Sequence, residues 1–184
     1  MITRQTALKI FGTVPILGSV LPGSWATDLY DDYINSTSKV PFVAFLGREA
    51  TGATIGHAFV GVGVRLDATF TVYERIYGLY PKDGALAAVK SIFTPISGKI
   101  DSTWADMSWD SEINRTIDAN QKVNVLDQFE KWGSSAPQYS LLANDGMNCN
   151  SLVADVARSL EMTVPDGAGS TRPWKFIKAL DSAN

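Results

Sequence analysis

The sequence predicts a single α+β domain, because strand-like segments come first along the chain and helix-like segments follow them. The clearest strand is residues 57–66 (HAFVGVGVRL), in which valines alternate with aromatic or small residues. The clearest helix is residues 149–161, whose leucines and valines recur on one helical face. Hydrophobic residues make up 45% of the 184 residues and charged residues 19%, which indicates a globular chain of one-domain size.

Residues 1–26 have the layout of a signal peptide. Arg4 and Lys9 give a positive start, residues 10–21 (IFGTVPILGSVL) are apolar, and small residues precede the predicted cleavage after Ala26. The alternative is a buried first helix or strand, which Pro15 disfavours. We therefore expect a secreted or periplasmic protein whose mature domain is residues 27–184.

The predicted strands have β-branched and aromatic compositions and are separated by turn-forming residues. Residues 67–68 are predicted to form a tight turn that joins two of these strands into a hairpin. Residues 85–112 show no regular period and are predicted to be loop with short strand pieces. The predicted strands are residues 41–46, 57–66, 69–80 and 113–117.

The predicted helices lie in the last third of the chain. Asn120 is predicted to cap a helix that runs to Trp132, and Gly133 suits its end. After a short extended stretch at residues 139–142 and a turn at 144–146, Asn148 is predicted to cap the helix 149–161. A short terminal helix is predicted at residues 174–180.

Charge and residue counts exclude several functional classes. Removing residues 1–26 takes away Arg4 and Lys9, which changes the formal net charge from −3 to −5. An acidic domain gives no sign of binding nucleic acid or anionic membranes, and we expect no stable membrane span after processing. One cysteine cannot form an internal disulfide, and one histidine with one cysteine gives no metal-ligand cluster. No cofactor is expected.

Cys149 is the candidate nucleophile because it falls in the first turn of a predicted helix, directly after Asn148. Backbone N–H groups there have no helical partner, and the helix dipole favours negative charge at that end. Both effects stabilise a thiolate and are expected to lower the thiol pKa. The same N–H groups, that of Cys149 among them, are suited to hold the oxyanion of a tetrahedral intermediate.

His57 is the candidate base, since it is the only histidine in the chain and it opens a predicted strand after Gly56. A base on a strand that faces a nucleophile on a helix is the papain-like arrangement. The alternatives are a cysteine that is a small buried apolar residue and a histidine that is structural. Cys149 begins a predicted helix and His57 begins a predicted strand, and these positions favour the catalytic interpretation.

Glu74 is the candidate residue that orients the imidazole. A turn at 66–68 would pair strand positions whose numbers sum to about 133, so that residue 76 lies opposite His57 and Glu74 lies on a diagonal of the same face. A register slip of one residue would instead bring a neighbouring side chain to that position. Those neighbours are Tyr73, Arg75 and Tyr77.

Two pairs of motifs resemble those of circularly permuted NlpC-type, papain-like cysteine hydrolases, a group related to the lecithin retinol acyltransferase-like enzymes. Residues 56–62 (GHAFVGV) and 77–81 (YGLYP) resemble the histidine strand and the strand after it. Residues 139–142 (YSLL) and 148–156 (NCNSLVADV) resemble the nucleophile helix and its approach. The histidine precedes the cysteine by 92 residues, which is the permuted order.

The resemblance implies an antiparallel sheet with the nucleophile helix packed on it. It also implies cleavage of an amide or ester through a thioacyl intermediate, with Cys149 and His57 as catalytic residues. We expect Tyr77, Tyr139 and Asn148 to line the substrate side. Unlike the acyltransferase-like members, this chain has no second histidine, so the orienting residue stays open.

Three functions follow as hypotheses. The first is an exported cysteine amidase or peptidase, for which predicted export makes cell-wall peptides (peptidoglycan) a reasonable substrate. The second is a lipid esterase or acyltransferase on the same site. The third is a non-catalytic binding module that kept the fold. The sequence does not indicate whether an inhibitor or immunity protein binds the chain.

Overall fold

The computed structural model describes residues 8–9, 35, 38–51, 56–66, 71–101, 109–142 and 146–184. Within this part of the chain the fold is α+β, with strands and helices ordered largely as predicted. Most of residues 1–26 lie outside the described residues, so the signal peptide remains a prediction. None of the helices in the described segments is long and apolar enough to cross a membrane.

Seven strands and four helices make up the described structure. The strands are β1 (Leu8–Lys9), β2 (Val40–Arg48), β3 (His57–Arg65), β4 (Thr71–Pro81), β5 (Ile96–Asp101), β6 (Ser111–Thr116) and β7 (Gln138–Tyr139). The helices are α1 (Ala85–Lys90), α2 (Ala119–Ser134), α3 (Cys149–Ser159) and α4 (Pro173–Ser182). The predicted helices are confirmed as α2, α3 and α4, and their ends differ from prediction by a few residues.

The strands form one sheet in the order β6-β2-β3-β4-β5-β7, and neighbours along this path are antiparallel. β1 adds a short parallel pairing to β4 at Val72 and Tyr73. Because β1 falls within the predicted signal peptide, cleavage after Ala26 would remove this pairing. β2 and β3 are both interior strands, and they pair with each other along their full length.

The two faces of the sheet hold different clusters, as the period-two pattern of β3 predicts. One face carries Val60 and Val62 and packs against α3, where Leu152 and Val153 are fully buried. The other face carries the buried cluster of Phe42, Ala44, Leu46, Phe59, Tyr73 and Ile76. Shortening Leu152 to alanine would cost about 2–5 kcal/mol of stability, the usual range for buried leucine.

The hairpin register differs from the predicted one. Phe59 pairs with Gly78, so residue 80, and not residue 76, is opposite His57. The predicted turn at 67–68 is too short, because β3 ends at Arg65 and β4 begins only at Thr71. A bulge between Val62 and Gly63 shifts the register further.

Two other local predictions are wrong. The N-cap of α2 is Asp118 and not Asn120: its carboxylate accepts from the Gln121 N–H at 2.8 Å, and the Gln121 side chain accepts in return from the Asp118 N–H at 3.0 Å. This reciprocal pair is a capping box, which fixes the helix start. Residues 85–112 hold the helix α1, which was not predicted, whereas β5 agrees with the short strand pieces predicted there.

Candidate active site

Cys149 is the first residue of α3, and Asn148 caps the helix as predicted. The Asn148 Oδ1 atom accepts from the N–H groups of Asn150 and Ser151 at 3.0 and 3.2 Å. The Ser151 hydroxyl accepts from the Asn148 N–H at 3.1 Å, which completes a capping box. Within the described residues, the Cys149 N–H is therefore the first-turn donor that no oxygen accepts.

The Cys149 sulfur is buried, with 4% of the residue exposed. Burial raises the pKa of the thiol to about 11, although the N–H groups of Ala58, Asn150 and Cys149 itself point to the sulfur and lower it. The thiol is therefore protonated at neutral pH. The backbone N–H groups at the helix start lower this pKa, as the sequence predicted. Desolvation of the sulfur raises the pKa by more, so the net shift is upward.

The His57 imidazole is buried beside two aromatic rings. Its centroid lies 4.3 Å from that of Tyr80 and 5.6 Å from that of Phe59. Its Nε2 atom has no hydrogen-bond partner in the described part of the chain. Burial lowers the pKa of His57 to about 3, with a smaller contribution from the Arg48 charge, so the ring is neutral at physiological pH.

The structure brings Cys149 and His57 to the same end of β3 from different sides of the sheet. The N–H of Ala58, the residue that follows His57, points to the sulfur. Cys149 belongs to the buried cluster between the sheet and α3, which we call the helix-side cluster. The imidazole instead lies with Phe59, which belongs to the cluster on the opposite face. Between these two described side chains there is no hydrogen bond.

A cleft of about 420 Å³ opens at the start of α3, with Cys149 in its lining. Its volume is within the range of sites that hold small molecules or short peptide segments. The lining comprises Glu49, Ala50, Gly56, Leu141, Leu142, Asn148, Cys149, Asn150 and residues 169–174.

Two asparagines hold the wall of this cleft in place. The Asn148 Nδ2 atom donates to the carbonyl of Gly169 at 2.7 Å, and the Asn150 Nδ2 atom donates to the carbonyls of Ala168 and Thr171 at 2.7 Å each. Asn150 is fully buried. The loop that precedes α4 is thus bound to the same turn that carries the nucleophile candidate.

The other predicted site residues fall in different places. Tyr139 is buried, and burial and the nearby Cys149 raise the pKa of its hydroxyl, so it lies near the thiol. Tyr77 stacks on Phe129 of α2 with ring centroids 3.9 Å apart, away from the cleft lining. Its phenol is half-buried there, and burial raises its pKa.

Glu74 is not brought to His57. Its carboxylate forms an ion pair with Lys122 of α2. Residue 80 is opposite His57, and Glu74 lies six residues back along β4, about 20 Å away at the usual rise of a strand. The predicted role of Glu74 rested on the hairpin register that the structure corrects.

Arg48 and Tyr80 are near the candidate pair, and sequence reasoning missed both. Arg48 pairs directly with His57 across β2 and β3, and its Nε atom is buried without a hydrogen-bond partner in the described residues. Its charge lowers the pKa of the groups at this end of β3, which include Cys149 and Tyr80. A correct strand register would have identified both residues.

Comparisons with protein-family models, curated proteins and solved structures found no match to this chain. Among the described residues, no group of three or more histidine, cysteine, aspartate or glutamate side chains could hold a metal ion.

Proposed function

We propose that this chain is a cysteine hydrolase of permuted papain-like fold, in which Cys149 attacks a carbonyl carbon and His57 transfers the proton. One observation carries the proposal. The only cysteine opens a capped helix in the lining of a cleft, and its sulfur contacts the residue that follows the only histidine. The Asn148 cap supports it, as does the Cys149 N–H, which no oxygen of the described residues accepts.

The first chemical step is proton transfer coupled to attack. Because the thiol is protonated and the imidazole is neutral at physiological pH, His57 accepts the thiol proton as the sulfur–carbon bond forms. The carbonyl π electrons move to oxygen, and the Cys149 N–H donates to that oxyanion. One donor of this kind contributes roughly 10²–10³-fold to the rate.

Collapse of the tetrahedral intermediate breaks the bond to the leaving amine or alcohol, which takes the proton from the imidazolium. The acyl group then remains on sulfur as a thioester. A water molecule, deprotonated by the neutral imidazole, attacks this thioester and releases the acid, and the proton returns to sulfur. The protein is regenerated without a cofactor.

Before this chemistry the imidazole must move, because it lies with Phe59 on the other face of the sheet and outside the cleft lining. Catalytic hydrogen bonds are often long without substrate and shorten in the complex. Substrate in the cleft also replaces water around the thiol, which strengthens its interaction with the imidazole.

The substrate in this proposal is a peptide-like amide, as in an exported enzyme that acts on cell-wall peptides. Glu49 lines the cleft, as does Asn150, whose Oδ1 atom has no hydrogen-bond partner among the described residues, and these side-chain oxygens suit the amide N–H groups of a peptide. A second candidate is an esterase or acyltransferase. It is favoured by Leu141 and Leu142, which line the same cleft, since Leu142 is 44% exposed and free to contact an acyl chain.

The test uses the single cysteine as a reporter. Alkylation by iodoacetamide is followed by mass spectrometry in the wild-type protein and in His57→Ala, together with hydrolysis of peptidoglycan fragments and of p-nitrophenyl esters. We expect slower alkylation and loss of hydrolysis in His57→Ala, and no hydrolysis in Cys149→Ala. Equal alkylation rates in both proteins, with no hydrolysis by the wild type, would overturn the proposal.

A further inference from the structure

We infer that His57 is positioned by a seat made of Tyr80, Phe59 and Gly78, with no hydrogen-bond partner at its Nε2 atom among the described residues. This inference rests on the proposed function, in which His57 is the base. It names Gly78 and Tyr80 as positioning residues that neither touch the substrate cleft nor carry charge at neutral pH.

The seat follows from the β3–β4 register. Phe59 pairs with Gly78, so Tyr80 lies opposite His57 on the same face of the sheet. The imidazole and the Tyr80 ring are inclined by 35° with centroids 4.3 Å apart, and the imidazole stacks on Phe59 at 20°. Offset contacts of this kind favour one ring orientation over others.

Gly78 provides the space for the ring. A Cβ atom at this position would lie 2.6 Å from His57 Nε2 and 2.7 Å from Tyr80 Cε2. Both distances are far below normal van der Waals contact, so any other residue would displace the imidazole or the phenol. The imidazole therefore packs directly against the β4 backbone at Gly78.

Among the described residues, no polar side chain is hydrogen-bonded to the Nε2 atom of His57. Nε2 is buried without an acceptor, although a base of this type is usually held by a hydrogen bond to a carboxylate, an amide or a second histidine. Glu74, the acidic residue predicted for that role, is paired with Lys122. The observed contacts of the imidazole are its packing against Tyr80, Phe59 and the β4 backbone at Gly78.

The seat also has an electrostatic consequence. Rings and a glycine remove water from the imidazole without supplying an acceptor, so the imidazolium is disfavoured and the pKa of His57 falls to about 3. Of the charged groups that face it, Arg48 across β2–β3 acts in the same direction. The resting protein therefore holds the imidazole in its neutral form.

The experiment observes His57 directly, because it is the only histidine and its imidazole resonances are unique in the untagged protein. We compare the wild type with Gly78→Ala, Tyr80→Phe and Tyr80→Leu. The control is Gly133→Ala, at a position in α2 with nothing within 4 Å of an added Cβ. Imidazole shifts and pKa are measured by NMR, and Cys149 alkylation by iodoacetamide is measured against pH.

We expect Gly78→Ala and Tyr80→Leu to change the ring-current shift of His57 and to move its pKa towards the ordinary value. Alkylation should fall about tenfold or more, since small misplacements of a catalytic group cost rates of this order. Tyr80→Phe, which keeps the ring, and Gly133→Ala should match the wild type. The inference would be overturned if folded Gly78→Ala and Tyr80→Leu had the wild-type imidazole shifts and the wild-type alkylation rates.

A wild-type measurement decides the case in which these variants do not fold. Nuclear Overhauser contacts between the imidazole protons and the ring protons of Tyr80 and Phe59 are expected, and their absence overturns the inference. Failure of the proposed function looks different: alkylation would then be independent of His57 while the Overhauser contacts remain.

Discussion

Arg48 and His57 are directly paired across the β2–β3 ladder, which puts a guanidinium beside the candidate base. The Arg48 charge lowers the pKa of His57 and also lowers that of Cys149, in each case as the smaller contribution beside burial. Near one cation, the neutral imidazole and the thiolate are both favoured. Arg48 thus acts on the two groups with the same sign.

Replacing Arg48 should shift the reactivity of the thiol. In Arg48→Gln the pKa of Cys149 should rise further, so the pH profile of iodoacetamide alkylation moves to higher pH, and raised salt should have less effect on it. Arg75→Gln, which removes an exposed arginine of β4, is the matched control. An unchanged profile in Arg48→Gln would show that its charge does not reach the sulfur.

The buried imidazole should make stability depend on pH. The pKa of His57 is lowered from its ordinary value of 6.5 to about 3 in the folded protein, so below pH 6.5 the unfolded chain binds the additional proton. Stability is therefore lost as pH falls from about 6.5, by up to about 1.4 kcal/mol per pH unit. Urea unfolding at pH 7 and pH 5 measures this loss.

His57→Gln is the control for that slope, because glutamine does not titrate. We expect the difference in unfolding free energy between pH 7 and pH 5 to shrink in this variant. A slope as steep as in the wild type would assign the effect to other groups and would contradict a buried neutral His57.

The two capping boxes provide a matched pair of variants. Asn148→Ala and Asp118→Ala each remove an N-cap and should each cost about 0.5–2 kcal/mol of stability, measured by chemical unfolding. Only Asn148→Ala should also change the alkylation of Cys149, since its amide holds the first turn of α3 and the Gly169 carbonyl. Equal effects of both variants on alkylation would contradict a local role of Asn148.

A Glu74 variant tests whether this carboxylate takes any part in the candidate active site. Its carboxylate pairs with Lys122, and both side chains are only partly exposed, at 26% and 22%. Glu74→Gln should therefore lower stability by roughly 1 kcal/mol or less and leave the alkylation of Cys149 unchanged. A large loss of thiol reactivity in a stably folded Glu74→Gln protein would restore the role that the sequence predicted for it.

Short-range signals in the sequence predicted the elements that carry the site. The alternating valines of β3 and the Asn148 cap before Cys149 depend on local patterns, and both are confirmed. The hairpin partner of His57 was missed because a longer connection and one bulge, neither of which a two-residue turn allows for, moved the register by several residues. For that reason Tyr80, and not Glu74, is the neighbour of the imidazole.

Burial was the second quantity that local patterns could not give. A helix start alone predicts an acidic thiol, but the fold covers the sulfur with the helix-side cluster and raises its pKa to about 11. Likewise, no local pattern indicates that Asn150 is fully buried and tied to a loop some twenty residues later. Both properties depend on contacts between segments far apart in the chain.

The Asn148 amide caps α3 and also binds the adjoining loop, and the Asn150 amide, in the first turn of α3, binds the same loop. Shortening either one to admit a bulkier ligand would loosen the turn that carries the sulfur. Adaptation to new ligands is therefore easier at Leu142 or Trp174, which border the same space and take no part in capping. Evolution of specificity should concentrate on those two positions and leave the asparagines unaltered.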